Sequence, residues 1–143
     1  QSIGVDGLII ADLPPSESEE MLKITKKYKI SLIPLLAITS SEDSIRKACK
    51  NADGFIYCIS SLGVTGVRNT ISSRINSLVS KVRKYTDIPV AVGFGISNRE
   101  QIKDIAEFSD GIIIGSAVIK SIMNGERQNA AQNVEKFLSD VIK

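Results

Sequence analysis

The 143-residue sequence contains no histidine and no tryptophan, and it has only two cysteines. Without an imidazole, the chain cannot build a Ser-His-Asp or Cys-His catalytic system, and it lacks a common zinc ligand. Cys49 and Cys58 do not have the spacing of metal ligands, and we expect both to be reduced thiols. Acid–base chemistry must therefore use Asp, Glu, Lys, Tyr or Cys, or groups outside these residues.

Strong charge and long apolar runs are also missing. The net charge of +2 is too small to predict a nucleic-acid partner or an anionic membrane surface. No run of about 18 apolar residues is present, and no signal peptide is visible. The composition, 43% hydrophobic and 24% charged, is typical of a globular protein. We therefore expect one domain over residues 1–143, a cytoplasmic location, and no metal or cofactor.

The first residue is Gln1 instead of Met, and a strand-like segment follows within a few residues. We expect the chain to be part of a longer protein.

Short apolar runs alternate with amphipathic segments along the whole chain. The runs predict strands at residues 6–12, 30–38, 54–60, 88–94 and 111–115. The amphipathic segments predict helices at residues 17–29, 39–51, 75–85, 97–108, 117–123 and 129–142. Ser16 and Glu19 have the spacing of a capping box for the first helix. A long polar loop is expected at residues 61–73.

This order repeats a β-α unit five times, with no hairpin signal between strands. Continuous apolar strands separated by amphipathic helices predict an α/β fold with a parallel sheet. An open doubly wound sheet and part of a (β/α)8 barrel both fit the pattern. In either architecture, ligand-binding groups gather at the carboxyl ends of the strands.

Glycines follow two successive strands at that expected rim. Gly93 and Gly95 follow the fourth strand, and Gly115 and Ser116 follow the fifth, where a short helix begins. A glycine lets an anion approach the backbone N–H groups, and a helix N-terminus adds free N–H groups and a positive dipole end. One such glycine more often serves only a tight turn. The tandem arrangement predicts that backbone amides bind a phosphate monoester, with help from the Ser116 hydroxyl.

Four segments carry a resemblance to a known family. "GVDGLIIADLPPSES", "YCISSLGVTG", "GFGIS" and "GIIIGSAVIK" resemble the tryptophan synthase alpha chain in wording, order and spacing. The resemblance extends over nearly the whole sequence and corresponds to the carboxyl-terminal portion of that family's barrel, roughly strands four to eight. It implies a partial TIM (β/α)8 barrel with about five parallel βα units.

The resemblance also implies a function. Members of the family are lyases of tryptophan biosynthesis that cleave indole-3-glycerol phosphate to indole and glyceraldehyde 3-phosphate by a retro-aldol step. Their partner is the pyridoxal-phosphate-dependent beta chain, which receives indole through a tunnel in an alpha-beta-beta-alpha complex.

Site residues follow from the same resemblance. The positions that match the family's phosphate-binding residues are Gly66, Gly93, Gly95, Gly115 and Ser116. The positions that match the indole pocket are Tyr57, Phe94 and Ile113, with Ile9 expected as a neighbour.

The loop after the third strand resembles the family's mobile lid. Thr65 matches a threonine that supports catalysis by hydrogen-bonding a catalytic aspartate, and a closed lid excludes water. Some members carry an arginine shortly before "GVTG", where this chain has Ser61 and Leu62. This difference puts the ordering of the loop in doubt.

The resemblance places the family's acid–base pair, a Glu and an Asp, upstream of these residues. Retro-aldol cleavage needs paired carboxylates, so no residue here is assigned as the catalytic base, and we expect the isolated chain to be inactive. Asp12 lies at the same rim, where we favour a loop-fixing role. Lys120 is interpreted as a solvated helix residue.

Two other functions stay open. Another phosphate-binding (β/α)8 barrel, such as an isomerase of histidine or tryptophan biosynthesis, would also have tandem phosphate loops. A non-catalytic half-barrel that binds phosphorylated ligands or a partner chain would need no acid–base pair. Five strands cannot close an eight-stranded barrel, so we expect open edges and a marginally stable or self-associating chain.

Overall fold

The computed structural model describes residues 4–59, 68–93 and 95–142, in which short strands alternate with helices. The strands are β1 (Gly7–Ile9), β2 (Ser31–Ile33), β3 (Leu35–Ala37), β4 (Ile56–Ile59), β5 (Val90–Gly93) and β6 (Gly111–Ile113). The α-helices are α1 (Glu19–Lys27), α2 (Glu42–Asn51), α3 (Arg68–Val82), α4 (Arg99–Ala106), α5 (Ser116–Met123) and α6 (Ala130–Ile142).

All strand pairs in this part of the chain are parallel. β1 pairs with β2, and a second sheet has the order β3-β4-β5-β6. Within each sheet, consecutive strands are neighbours, and a helix connects each paired strand to the next. The structure confirms the predicted parallel α/β fold built from repeated βα units.

The second expected strand, residues 30–38, is divided at Pro34. Its first part, β2, pairs with β1, and its second part, β3, pairs with β4. Proline has no backbone N–H, so it interrupts the ladder of hydrogen bonds. The Pro34 carbonyl still accepts a hydrogen bond from the Tyr57 N–H at 3.0 Å.

The core lies between one face of the second sheet and helices α2 and α3. Burial alternates along β4 because its odd and even residues face opposite sides of the sheet. The sheet contributes Leu36, Ile56, Cys58, Val90 and Val92 to this core. The helices contribute Ile45, Ala48, Cys49, Ile75, Leu78, Val79 and Val82. Tyr57 and Ile59 consequently face the opposite side of the sheet.

Helix beginnings agree with the sequence at two places and differ at two others. Ser41 caps α2 and Asn98 caps α4, each accepting a hydrogen bond from a first-turn N–H. The predicted Ser16 cap is wrong, because residues 14–17 form a turn and Ser18 occupies the N-cap position of α1. Helix α3 begins at Arg68, inside the expected loop. A polar residue in a helix costs only about 0.5 kcal/mol relative to alanine, so the polar sequence does not prevent a helix here.

Candidate functional site

The carboxyl ends of β5 and β6 lie side by side. Gly93, the last residue of β5, is in register with Ile113, the last residue of β6. Gly95 and Gly115 each follow two residues after these strand ends. Because the strands are parallel and adjacent, the two glycine turns lie at the same edge of the sheet. The expected juxtaposition of the turns is therefore present.

Helix α5 begins directly at this edge. Gly115 is the N-cap and Ser116 the first helical residue, and both are exposed. No side chain of the described residues caps the start of the helix, and no acidic residue lies in its first turn. The first N–H groups of a helix have no partner within the helix and carry its positive dipole end. The start of α5 therefore offers uncapped backbone donors to an anion.

The backbone around these donors is open. A Cβ atom added at Gly95 or Gly115 would meet no heavy atom within 4 Å. Gly95 has φ +44°, in the left-handed region that favours glycine. Both positions thus allow a ligand to approach the main chain. At Gly95 the left-handed conformation also changes the direction of the main chain.

Gly93 has a different reason to be glycine. A Cβ there would lie 2.5 Å from Cε2 of Tyr57 and would also collide with the Tyr57 hydroxyl. The aromatic ring on β4 therefore occupies the space above the Gly93 backbone. The sequence predicts only phosphate binding for Gly93, and this contact with Tyr57 is not part of that prediction. A sequence signal for this contact exists: the small residues at 91, 93 and 111 share one face of the sheet and leave room for an aromatic ring.

Tyr57 and Ile113, predicted for an aromatic pocket, share that face of the sheet. Tyr57 is in register with Ala91, Gly93 with Ile113, and Ala91 with Gly111. Both side chains are half-buried. Burial raises the pKa of the Tyr57 hydroxyl, so it is neutral at pH 7, and no hydrogen-bond partner for it occurs among the described residues.

Ile9 lies further away in the fold. It ends β1, is in register with Ile33 of β2, and is 50% exposed. The structure places it in the two-stranded sheet, not in the sheet that holds Tyr57 and Ile113. Thr65, Gly66 and Phe94 lie outside the described residues.

An open cleft of about 340 Å³ borders the same rim, between β3 and the segment that follows β1. Its lining includes Asp12 together with Leu35, Ala37 and Ile59, three residues of one sheet face. Asp12 is exposed and makes no hydrogen bond or ion pair with any described residue. The loop-fixing role favoured for Asp12 is therefore not seen. Lys120 is exposed on α5, as interpreted from the sequence.

The opposite, amino-terminal end of β5 and β6 is held by side chains. The Asp110 N–H donates to the Val90 carbonyl at 2.9 Å, and the Val90 N–H donates to Asp110 Oδ2 at 2.8 Å. Arg83 Nη2 lies 3.0 Å from the same carboxylate oxygen. These bonds hold the pKa of Asp110 below its ordinary value, mainly through the Val90 N–H. They fix the register that brings the two glycine turns together.

Other chemistry is limited in the part of the chain that the structure describes. No group of three or more His, Cys, Asp or Glu side chains there could hold a metal ion. Cys49 and Cys58 are buried free thiols, and burial raises the pKa of Cys58 to about 12. No helix among residues 4–59, 68–93 and 95–142 has the length and apolar character to cross a membrane.

Comparisons with known proteins give one consistent result. Residues 1–142 match the family model described as tryptophan synthase alpha chain. The tryptophan synthase alpha chain of Alkaliphilus metalliredigens is 46% identical over 139 residues, which cover 96% of this chain and 52% of that protein. The chain spans about half the length of the curated relatives it matches.

Solved structures agree. Tryptophan synthase subunit alpha from Campylobacter jejuni is 32% identical with a TM-score of 0.82, covering 95% of this chain and 55% of that one. A chain from the tryptophan synthase α2β2 complex of Pyrococcus furiosus is 28% identical with a TM-score of 0.84, covering 99% and 57%. This likeness decides between the two architectures in favour of part of a (β/α)8 barrel.

Proposed function

The chain belongs to the tryptophan synthase alpha chain family, and we propose that it forms the phosphate- and indole-binding part of a lyase. The reaction is the cleavage of indole-3-glycerol phosphate to indole and glyceraldehyde 3-phosphate. This activity belongs to the whole protein. Its relatives are about twice as long as the present chain.

One observation carries the proposal. The uncapped N-terminus of α5, with exposed Gly115 and Ser116, lies at the same sheet edge as Gly93 and Gly95. Backbone amides of this kind bind a phosphate without a charged side chain. Anchoring the non-reacting phosphate supplies binding energy that orients the bond to be cleaved.

The aromatic part of the substrate is assigned to the neighbouring face. The Tyr57 ring and Ile113 form a half-buried apolar surface next to the glycine turns. An indole ring on this surface would bury area against both side chains. Ile9 is proposed for the far side of the pocket. Gly66 for the phosphate, Phe94 for indole and Thr65 for lid closure rest on the family resemblance.

The acid and base are assigned outside this chain. Asp12 is exposed in the rim cleft, and no second carboxylate among the described residues lines that cleft. We therefore propose that the acid–base pair lies in the part of the relatives that this chain does not span, and that the chain alone is inactive. The complete protein would pair with a beta chain, act in the cytoplasm, and contain residues 1–143 as one domain.

The phosphate site can be tested on this chain directly. We would titrate ¹⁵N-labelled protein with glycerol 3-phosphate and follow the backbone amide resonances. The largest shifts are expected at Gly95, Gly115, Ser116 and Ala117, because these N–H groups would contact the phosphate. Shifts confined to lysine-rich α1 would contradict the proposal.

The lyase proposal needs the complete protein. We would join this chain to the part of the Alkaliphilus relative that it does not match. Indole release from indole-3-glycerol phosphate is then measured for this chimera. Activity is expected in the chimera and not in the chain alone. A chimera that folds and binds glycerol 3-phosphate without releasing indole would favour the non-catalytic alternative.

A further inference from the structure

The sequence contains one Asn–Gly pair, Asn124–Gly125, and the proposed activity makes no use of it. The pair lies just after α5, in the connection to α6, and both residues are exposed. An asparagine is chemically labile when the main-chain nitrogen of the next residue can attack its side-chain amide. Glycine at the second position favours this attack, because it has no side chain to hinder the nitrogen. The pair is therefore a candidate site of spontaneous modification.

Glycine at position 125 is required by the backbone. Gly125 has φ +92°, in the left-handed region that other residues rarely adopt. Asn124 is the C-cap of α5, and a glycine in this conformation is a common way to end a helix. Replacing the glycine would strain the turn, so the fold retains the labile pair. Any protection of Asn124 has to come from other residues.

Hydrogen bonds do not hold the two groups that would react. Neither the Gly125 N–H nor the side-chain amide of Asn124 has a hydrogen-bond partner among the residues that the structure describes. A hydrogen-bonded N–H would be harder to deprotonate, and a hydrogen-bonded side-chain amide would be harder to turn. Protection of this kind is therefore not in place at the pair.

The orientation of the Asn124 carbonyl keeps the two groups apart. Ring closure requires the Gly125 nitrogen to eclipse the Asn124 Cβ about the Cα–C bond. The observed ψ of 103° turns that nitrogen away from Cβ and places the carbonyl oxygen on the Cβ side instead. An L-residue reaches the closing geometry from here only if ψ rotates through more than a right angle. The observed conformation is therefore not one from which the attack can occur.

Asn133 of α6 holds this carbonyl in place. Its side-chain Nδ2 donates a hydrogen bond to the Asn124 carbonyl oxygen and lies 4.0 Å from the position that a Cβ on Gly125 would occupy. Asn133 is itself anchored, because its main-chain carbonyl accepts a hydrogen bond from Ser121 Oγ of α5 at 2.7 Å. Rotation of ψ at Asn124 would swing the carbonyl away from the Asn133 amide. The Asn133 side chain therefore opposes the rotation that the reaction needs.

We propose that Asn124 is a site of spontaneous deamidation and that the Asn133 side chain sets its rate. The Gly125 main-chain nitrogen loses its proton to hydroxide and forms a bond to the Asn124 Cγ. The Cγ–Nδ2 bond then breaks, and the nitrogen leaves as ammonia after taking a proton from water. Water opens the resulting cyclic imide at one of its two carbonyl carbons, which leaves aspartate or isoaspartate at position 124. The reaction needs only water, and the proposal does not depend on the proposed activity.

Either product changes the end of α5. The new carboxylate lies beside the negative end of the helix dipole, where a negative charge is unfavourable. In isoaspartate the main chain runs through the former side-chain carbon, so the connection from α5 to α6 is longer by one methylene group. We therefore expect modification to loosen the packing of α5 against α6.

The test compares the chain with a synthetic peptide of residues 119–132, which contains the same pair and lacks Asn133. Both are incubated at mildly alkaline pH. Aspartate and isoaspartate at position 124 are then measured by mass spectrometry after digestion. The chain is expected to react roughly tenfold more slowly than the peptide, because the Asn124 carbonyl must first leave the Asn133 amide.

Removing the side-chain donor should remove the protection. Asn133→Ala is expected to raise the rate at Asn124 nearly to that of the peptide. Gln132→Ala is the matched control, since it shortens an exposed side chain of the same helix, and it should leave the rate unchanged. Asn129, which is not followed by glycine, is an internal reference in every digest. Its rate should not change, because only the contact with the Asn124 carbonyl is lost.

A milder variant acts on the anchor of Asn133. Ser121→Ala removes the hydroxyl that binds the Asn133 main-chain carbonyl and leaves the side-chain donor in place. The rate at Asn124 is expected to rise, but less than in Asn133→Ala. This variant tests the same contact with a smaller change to the fold.

Three results would overturn the proposal. The first is a chain that reacts at Asn124 as fast as the peptide. The second is a rate that Asn133→Ala leaves unchanged. The third is equal acceleration at Asn124 and Asn129 in both variants, because unfolding around α6 would then explain the result without the Asn133 contact.

Discussion

The two ends of the β5–β6 strand pair are built from different kinds of residue. At the amino-terminal end, Asp110 receives hydrogen bonds from the Val90 N–H and from Arg83. At the carboxyl-terminal end, Gly95 and Gly115 leave the backbone open, and no described side chain caps the start of α5. One end therefore uses side chains to satisfy the backbone, and the other leaves backbone donors available.

This difference separates stability from binding along one pair of strands. Parallel strands place all their carboxyl ends on one rim, which is where ligands bind in barrels of this kind. Bonds at the amino-terminal end can hold the register without occupying that rim. Substitutions at the two ends should consequently change different measurements, with Gly93 as the position that affects both.

Gly93→Ala should give the largest effect. The added Cβ collides with the Tyr57 ring, and overpacking of this kind costs about 1–3 kcal/mol. Urea unfolding of the chain measures the loss. Tyr57→Ala in the same molecule should recover most of the additional cost, since the colliding ring is removed. If Gly93→Ala lowered the free energy of unfolding equally in the Tyr57 and Tyr57→Ala backgrounds, contact with the ring would not be the reason for glycine at this position.

Ser116→Asp should reduce phosphate binding while leaving the fold intact. A carboxylate in the first turn of α5 repels a phosphate, and we expect affinity for glycerol 3-phosphate to fall roughly tenfold or more. The same carboxylate complements the helix dipole, so the free energy of unfolding should not decrease. Ser116→Ala is the matched control and should lose much less affinity, because the backbone donors remain. A larger loss in the alanine variant would indicate that the hydroxyl is the main ligand.

Asp110→Ala should act in the opposite way, on stability. Removing the acceptor of the Val90 N–H and the partner of Arg83 should cost about 1 kcal/mol, since the pair is partly solvated. Because the pKa of Asp110 is lowered in the folded protein, its contribution is present above the ordinary value of 3.8 and is lost as pH falls through the lower folded pKa. Urea unfolding at pH 7 and near pH 3 tests this.

In Asp110→Asn, the side-chain oxygen can still accept from Val90, so the variant should be intermediate at pH 7. The Asp110-dependent part of the acid response should also disappear. An acid response identical to that of the unmodified chain would rule out the assigned contribution.

Gly115→Ala should give the smallest effect. Its φ of −115° lies outside the left-handed region that favours glycine, and a Cβ would meet no atom within 4 Å. We expect a change in unfolding free energy within about 0.5 kcal/mol. A modest loss of phosphate affinity is expected from crowding of the ligand, and calorimetric titration measures it. A large stability loss would show that Gly115, like Gly93, is required by the fold.

The repeated βα pattern was predictable because apolar runs and amphipathic segments differ in period. The parallel sheet followed from it, as did the common rim of the glycine turns. The break at Pro34 was not assigned, although proline within a strand carries that signal. The start of α3 was missed because polar residues only weakly oppose a helix.

The candidate site was predictable to a smaller extent. The positions of Gly95, Gly115 and Ser116 depend on strand order, which the sequence pattern indicates. The contact of Gly93 with Tyr57 depends on cross-strand register and ring orientation, which a single sequence does not specify. Ile9 was placed near the pocket by resemblance, and the structure locates it in a separate two-stranded sheet. The roles of these residues in binding stay predictions.

The division of the second strand at Pro34 has a consequence for how the molecule opens. Among the residues that the structure describes, no continuous hydrogen-bond ladder joins β1 and β2 to the four-stranded sheet. We therefore expect the segment containing β1, α1 and β2 to open more readily than the four-stranded sheet, as a separate cooperative unit held to α2 by side-chain packing alone. In a chain built from successive βα units, a single proline would then decide where partial unfolding stops.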